Sequence, residues 1–206
     1  RILSIDGSKA LAMPGVRAVL TSEDLPAKRT YGLEVDDQPV LAGDGVRYEG
    51  EPIAVVVADT EREARAAGEA VVVEYEVLPA LTDMEEALRP DAPQLHEWGN
   101  VVRHLRIEHG DPDAEADVWV EGYYETAMQD HAPLGPEAAL AIPAEDGSID
   151  LHVMTQWLHV DRHQIAPCLG LPEDRVRVHL AGVGGAFGSR EDVNVEILAG
   201  VLALAT

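Results

Sequence analysis

Residues 51–81 read EPIAVVVADTEREARAAGEAVVVEYEVLPAL, and this stretch places the chain among mixed α and β proteins. Within it, residues 53–58 form an unbroken apolar and mostly β-branched run, the pattern of a fully buried strand. Asp59 and Thr60 then offer N-caps for a helix whose first turn carries Glu61 and Glu63, charges suited to the positive end of the backbone dipole. After about a dozen helical residues, AVVVEYEVL returns to strand character. Strand, helix and strand make a β-α-β arrangement, and length alone leaves open whether the two strands run parallel.

On the N-terminal side, ILSID at residues 2–6 reads as a strand. SKALAMPGVRAVLTSEDLP adds a short helix ended by Pro14-Gly15, a strand VRAVLT and an acidic turn. RPDAPQLHEWGN, residues 89–100, has the Pro, Asn and Gly content of a linker. Beyond it, DVWVEGYYETAMQ and IDLHVMTQWLHV are strand candidates around a loop that holds a shorter strand, AALAIP. HVDRHQIAPCLGLPEDRVRVHL predicts a helix ending at Gly170, a turn over 172–174 and an alternating strand RVRVHL. The closing EDVNVEILAGVLALAT sets Val193, Ile197, Val201 and Leu204 at helical spacing, with Leu198 flanking them. Arg1 enters a strand already under way, and the last helix stops at Thr206 without a cap, so the chain is expected to be an excerpt of a longer protein.

The 206 residues carry 38 acidic against 15 basic side chains, a formal net charge of -23. Such a balance argues against nucleic acid and anionic membranes as partners, because phosphate binding needs clustered Lys and Arg. One cysteine, Cys168, excludes an internal disulfide and a cysteine-built metal site. No run approaches the roughly 18 apolar residues of a membrane helix, so a soluble, cytoplasmic protein is expected.

Chemistry concentrates in AGVGGAFGSRED, residues 181–192, between the last strand and the last helix. Gly182, Gly184, Gly185 and Gly188 permit positive φ and close approach of a ligand to main-chain N–H groups, which suits a phosphate, a pyrophosphate or an oxyanion. The spacing is neither the dinucleotide fingerprint nor a P-loop, and a plain tight connection is the alternative reading. Phe187, the chain's one Phe, is either a plug for the turn or a wall of a ligand pocket. Arg190 and Glu191 are expected to open the final helix, with solvated first-turn charge as the simpler reading.

This turn resembles a signature turn of the molybdenum-binding large subunit of the xanthine dehydrogenase and aldehyde oxidase family, in which glycines precede a Phe-Gly pair and a basic-Glu pair follows. The resemblance covers nearly the whole chain. RILSIDGSKALAMPGVRAVLTSEDLP, YEGEPIAVVVADTEREARAAGEAVVVEYEVLPAL and HEWGN are similar to the family's a/b hammerhead domain. MQDHAPLGPEAALAIP and DLHVMTQWLHVDRHQIAPCLGLPEDRVRVHL look like the start of its molybdopterin-binding domain. The resemblance therefore implies an α+β fold, with a hammerhead domain over 1–95 and a truncated molybdopterin-binding domain over 96–206. The SRED ending of the turn and the His-Ala-Pro segment lean toward bacterial xanthine dehydrogenases of purine catabolism.

Carried over by motif, the resemblance implies that Gln156 reaches toward an oxo ligand of molybdenum, a role that suits an amide N–H. Gly185, Ala186, Phe187 and Gly188 would contact the cofactor, with Ala186 standing where a glycine is usual. Glu191 matches a pocket glutamate that hydrogen-bonds a heterocyclic substrate. Glu137 either lines the substrate approach or faces water, and His131 and His163 are expected to be structural. No residue here is expected to ligate a metal directly. The implied reaction is oxidative hydroxylation of xanthine or hypoxanthine with water as oxygen source, with an aldehyde as the alternative substrate. Iron–sulfur clusters and FAD would reside on partner subunits or domains, in a hetero-oligomer. The family's catalytic base, a glutamate in a GxGE context, has no match, so the chain alone is expected to be inactive. A self-standing binding or scaffold module for subunit assembly is the competing reading.

Overall fold

The computed structural model describes residues 1–206, which divide into two compact units, 1–77 with 131–206 and 78–130. In the first unit, β1 (Ile2–Asp6), α1 (Ser8–Leu11), β2 (Val16–Thr21), β3 (Thr30–Tyr31), β4 (Gln38–Pro39), β5 (Ala54–Ala58), α2 (Glu61–Ala70) and β6 (Val72–Tyr75) follow in order. Thr60 caps α2, its hydroxyl accepting from the Glu63 N–H at 3.3 Å and donating to the Glu63 carboxylate at 2.7 Å. Asp59, the other cap candidate, instead takes both arms of the Arg17 guanidinium at 2.7 and 2.9 Å.

The two strands flanking α2 do not pair with each other. β5 pairs antiparallel with β2 and β6 antiparallel with β1, and β3 and β4 form a hairpin. The β-α-β order is thus present while no parallel sheet is built from it, because each strand finds its partner near the start of the chain. β5 is also only half-buried along its length, not fully enclosed as its apolar run suggested.

Residues 131–206 complete the first unit with β7 (Leu140–Pro143), β8 (Ile149–Val153), α4 (Leu158–Leu169), β9 (Val176–Leu180) and α5 (Asn194–Ala205); α3 (Met84–Ala87) lies in the second unit. β7 runs antiparallel to β8, and β8 runs parallel to β9, with α4 as the crossover between the parallel pair. Gly170 ends α4 at φ 68°, and the Leu171 N–H reaches back to the Ala166 carbonyl at 3.1 Å. Ile149, Leu151 and Val153 on the inner face of β8 pack with Ile165 of α4 and with Val193, Ile197 and Val201 on one side of α5. Leu25, Tyr31, Val40 and Leu41 from the first part of the chain join the same core. Each such side chain contributes about 1.5–3 kcal/mol by leaving water.

Three expectations fail here. IDLHVMTQWLHV is strand only over Ile149–Val153, and its last three residues, 158–160, open α4 instead. Arg190 and Glu191 do not open α5, which starts at Asn194, so the last helix begins after the acidic end of the turn. DVWVEGYYETAMQ forms no strand: residues 117–129 make no ladder, with Trp119, Tyr123, Tyr124 and Met128 exposed. Strand propensity there meets no partner strand, and an unpaired strand is not stable in water.

The second unit is organised around Asp83 and Asn100. Asp83 caps α3, accepting from the Glu86 N–H at 2.8 Å. The Asn100 amide donates to the Ala87 and Pro93 carbonyls at 3.0 and 2.9 Å and accepts from the Leu95 N–H at 2.8 Å, closing the Pro-rich loop. His96 and Trp98 stack with ring centroids 4.7 Å apart.

Candidate functional site

The parallel pair β8–β9 decides where a site can form. In α/β sheets the loops leaving the carboxyl ends of adjacent parallel strands converge, and ligands bind there. Gln156 leaves the end of β8 and the glycine-rich turn leaves the end of β9, with the Ala181 N–H donating to the Val153 carbonyl at 2.7 Å between them. Farther on, the Gln156 N–H donates to the Arg190 carbonyl at 3.4 Å, and the Thr155 hydroxyl contacts that same carbonyl at 3.3 Å. Residues 34 positions apart in the chain are therefore fixed side by side by main-chain bonds.

The turn itself is built from left-handed residues. Gly184, Gly185 and Gly188 have φ of 65°, 99° and 94°. A Cβ on Gly184 would lie 2.8 Å from the Gly135 nitrogen, and one on Gly185 would lie 2.8 Å from the Phe187 ring. At Gly184 a side chain is therefore excluded by the neighbouring backbone as well as by conformation, and at Gly185 chiefly by its positive φ, since the Phe187 ring it would meet is free to move. Ala186 is not among the positive-φ residues, consistent with its carrying a Cβ. The Ser189 N–H and hydroxyl both donate to the Ala186 carbonyl, at 3.0 and 2.9 Å, and close the turn.

Phe187 is the exception within the turn. It holds φ 56° although it is not a glycine, and its side chain is 73% exposed. A strained backbone that leaves a large apolar ring mostly exposed favours a contact surface over a buried plug, although one edge of the ring lies against Gly185.

Arg190 is 1% exposed, which overturns the solvated-charge reading. Its guanidinium pairs with the Glu137 carboxylate at 2.5 Å and donates to the Gly135 carbonyl, while Nε has no partner. Loop 131–137 is tied to the turn a second time through the Leu134 N–H, which donates to the Gly184 carbonyl at 3.0 Å. Glu137 accordingly serves the turn. His131 borders Gly188, while His163 pairs with Glu173 at 2.6 Å on the surface of α4.

Two buried carboxyl groups, which sequence reasoning missed, lie beneath the turn. Asp161 of α4 accepts from the Thr155 hydroxyl, and burial pushes it up to about 6. Glu196 of α5 is pushed up to about 7 by burial first and then by Glu137, Asp161 and Asp192. Each occupies an apolar-facing position of its helix, and that misplaced charge was the available signal.

The predicted residues border two separate hollows. Gln156 faces an open depression of about 420 Å³ shared with Trp157, Leu158, His159 and Val160. Gly188 and Glu191 line a cleft of about 240 Å³ with Tyr31, Gly32, Leu33, Gln38, Gln164 and Asp192. No group of three His, Cys, Asp or Glu side chains is arranged to hold a metal ion. The donors present are an amide and main-chain N–H groups, beside an exposed aromatic ring. This set fits an anionic cofactor that carries its metal on its own ligands, and the glycine cradle that a Cβ would fill supplies the room for it.

Residues 1–79 match the aldehyde oxidase and xanthine dehydrogenase a/b hammerhead domain, and residues 95–206 match the molybdopterin cofactor-binding domain. The chain is 38% identical to a probable xanthine dehydrogenase subunit of Bacillus subtilis (strain 168), over 98% of the chain and 28% of that protein. It is also 38% identical to the nicotinate dehydrogenase large molybdopterin subunit of Eubacterium barkeri, over 95% of the chain and 47% of that protein. Among solved structures, the aldehyde oxidoreductase of Desulfovibrio gigas superposes with a TM-score of 0.89 at 35% identity, covering 99% of the chain and 24% of that structure. The chain thus spans between a quarter and a half of the length of these relatives.

Proposed function

Because the chain belongs to the aldehyde oxidase and xanthine dehydrogenase family of molybdenum-binding subunits, we propose that it supplies the part of a molybdenum hydroxylase that grips the cofactor and orients a heterocyclic substrate. One observation carries this reading: the segments that hold Gln156 and the glycine-rich turn leave the carboxyl ends of two adjacent parallel strands and are tied together by the Gln156–Arg190 main-chain bond, with Phe187 held strained and exposed. A hammerhead domain over 1–95 and the start of a molybdopterin-binding domain over 96–206 are part of the same reading.

When bound, the molybdenum cofactor supplies oxidative hydroxylation of an electron-poor carbon, with water as the oxygen source. The Gln156 amide would donate a hydrogen bond to an oxygen of that group. Gly185, Ala186 and Gly188 would let the main chain approach it, and the Phe187 ring would cover one side and exclude water. Glu191, facing the cleft, would accept an N–H of the heterocycle and hold it in register for reaction. A purine such as xanthine or hypoxanthine has that N–H and an aldehyde does not, which favours purine over aldehyde. The general base would come from polypeptide outside these residues, so that the chain alone is inactive. Electrons would leave through iron–sulfur and FAD centres on partner subunits or domains of a hetero-oligomer. No helix is long and apolar enough to cross a membrane, and a cytoplasmic location is part of the proposal.

Assay of the complete subunit with xanthine, hypoxanthine, nicotinate and an aldehyde tests the substrate assignment. Purine kcat/KM should exceed the aldehyde value, and preference for the aldehyde would reject Glu191 as the recognition group.

A further inference from the structure

Glu191 lies between two residues anchored to different segments of the chain. Arg190 is held by Glu137 and the Gly135 carbonyl on the side of the glycine-rich turn. Asp192 is held on the side of the β3–β4 hairpin, where its Oδ2 accepts from the Gln38 amide at 3.3 Å while its Oδ1 accepts from the Val193 N–H at 3.0 Å. Two residues further, the Asn194 amide donates to the Val40 carbonyl at 3.0 Å, so the hairpin grips the segment twice. Tyr31, 2% exposed, faces Asp192 and Asn194 from the other hairpin strand. Burial, followed by the Asp192 carboxylate, raises its hydroxyl well above the usual tyrosine range, so it stays neutral beside that carboxylate. Gln164, only 9% exposed, has an amide nitrogen without a partner and lines the same cleft as Glu191.

We propose that the β3–β4 hairpin, acting through the Gln38–Asp192 hydrogen bond, is a positioning device that sets Glu191 in the substrate cleft. Asp192 and Gln38 are positioning residues: they act through Glu191 and not on the substrate. This inference rests on the assignment of Glu191 as the heterocycle-binding group. An unclamped loop residue samples several backbone orientations, whereas a carboxylate must be held to within a few tenths of an ångström to orient a ring. The hairpin supplies that restraint from a segment more than 150 residues upstream, which explains why it packs on the start of α5.

The test uses the complete, cofactor-loaded subunit with a purine substrate, with molybdenum content read in parallel. Asp192→Ala should raise KM about tenfold with molybdenum content unchanged. Asp192→Asn, whose amide oxygen keeps the Val193 N–H while its NH2 donates to the Gln38 amide oxygen once that amide turns over, should stay near the parent value. Gln38→Glu sets two carboxylates together and should raise KM at neutral pH. Adding Asp192→Asn to it rebuilds the bond with donor and acceptor exchanged and should restore KM. In a Glu191→Ala background, Asp192→Ala should add nothing further. Loss of that non-additivity, failure of the exchanged pair to restore KM, or an unchanged KM for Asp192→Ala would overturn the inference while leaving the Glu191 assignment standing. Unchanged kinetics for Glu191→Ala itself would overturn the assignment and the inference with it.

Discussion

The guanidinium of Arg190 pairs with the carboxylate of Glu137 at 2.5 Å, the arginine fully enclosed and the glutamate 46% exposed. This pair joins the loop before β7 to the turn after β9, and the asymmetry of its burial determines what each substitution does. Replacing Arg190 by Met removes a cation that also bonds the Gly135 carbonyl and leaves polar groups of the turn without a partner. The expected loss is about 3 kcal/mol of folding stability, read by chemical denaturation. Glu137→Gln should cost at least as much, because it leaves the enclosed guanidinium cation without a counter-charge, whereas Arg190→Met leaves a carboxylate that water reaches. A clearly smaller loss for Glu137→Gln would show that the enclosed cation does not depend on its counter-charge.

Phe187 offers the opposite balance of stability and function. Its left-handed backbone costs about 1 kcal/mol, and its ring is mostly exposed, so little packing is lost on removing it. Phe187→Asn, which tolerates that backbone, should leave the melting temperature unchanged or raise it while lowering turnover and cofactor retention in the complete subunit. A fall of several degrees would return the ring to a structural role.

The buried carboxyls give stability a definite pH dependence. Asp161 and Glu196 have folded pKa values raised to about 6 and about 7 from ordinary values of 3.8 and 4.5. The folded state therefore binds more protons than the unfolded one between about pH 4 and pH 7. Their contribution is fully present below the unfolded values and is lost as pH rises through the folded ones. Melting temperature should accordingly fall as pH rises from about 4 to about 7 and level off above that. Glu196→Gln should flatten the slope and stabilise the protein near pH 8 by about 1–3 kcal/mol. A steeper slope in the variant would assign the pH dependence elsewhere.

Residues 101–130 contain no helix or strand and expose Trp119, Tyr123 and Tyr124. Limited chymotrypsin treatment of the 206-residue chain should cut there first, before any site in β7–β9, because backbone without helix or ladder bonds needs little unfolding to enter a protease. Initial cleavage within residues 140–180 would contradict this.

These elements also show what was legible in advance. Helix α2, strands β7 and β9 and the Gly170 end of α4 follow from local rules, namely capping residues, alternation and a left-handed glycine, and lie where the pattern puts them, whereas β8 stops at Val153, short of the strand its sequence suggested. Pairing was not legible. β5 and β6 turn to β2 and β1 because partner choice depends on packing across the unit and not on spacing. Residues 117–129 have strand composition but meet no partner. At the site, the glycines and Phe187 announce themselves by type, and the resemblance placed Gln156 and Glu191. The roles of Arg190 and Asp192 were hidden, since surface-like residue types reveal burial and clamping only when the chain is folded.

The proposed division of labour gives Glu191 the substrate, and gives Gln156 and the 184–188 turn the cofactor. Kinetics and molybdenum content of the Glu191→Ala complete subunit, measured side by side, separate these two roles. Purine kcat/KM should fall by about 10²-fold or more while molybdenum content matches the parent. A parallel loss of metal and activity, or unchanged turnover, would contradict it.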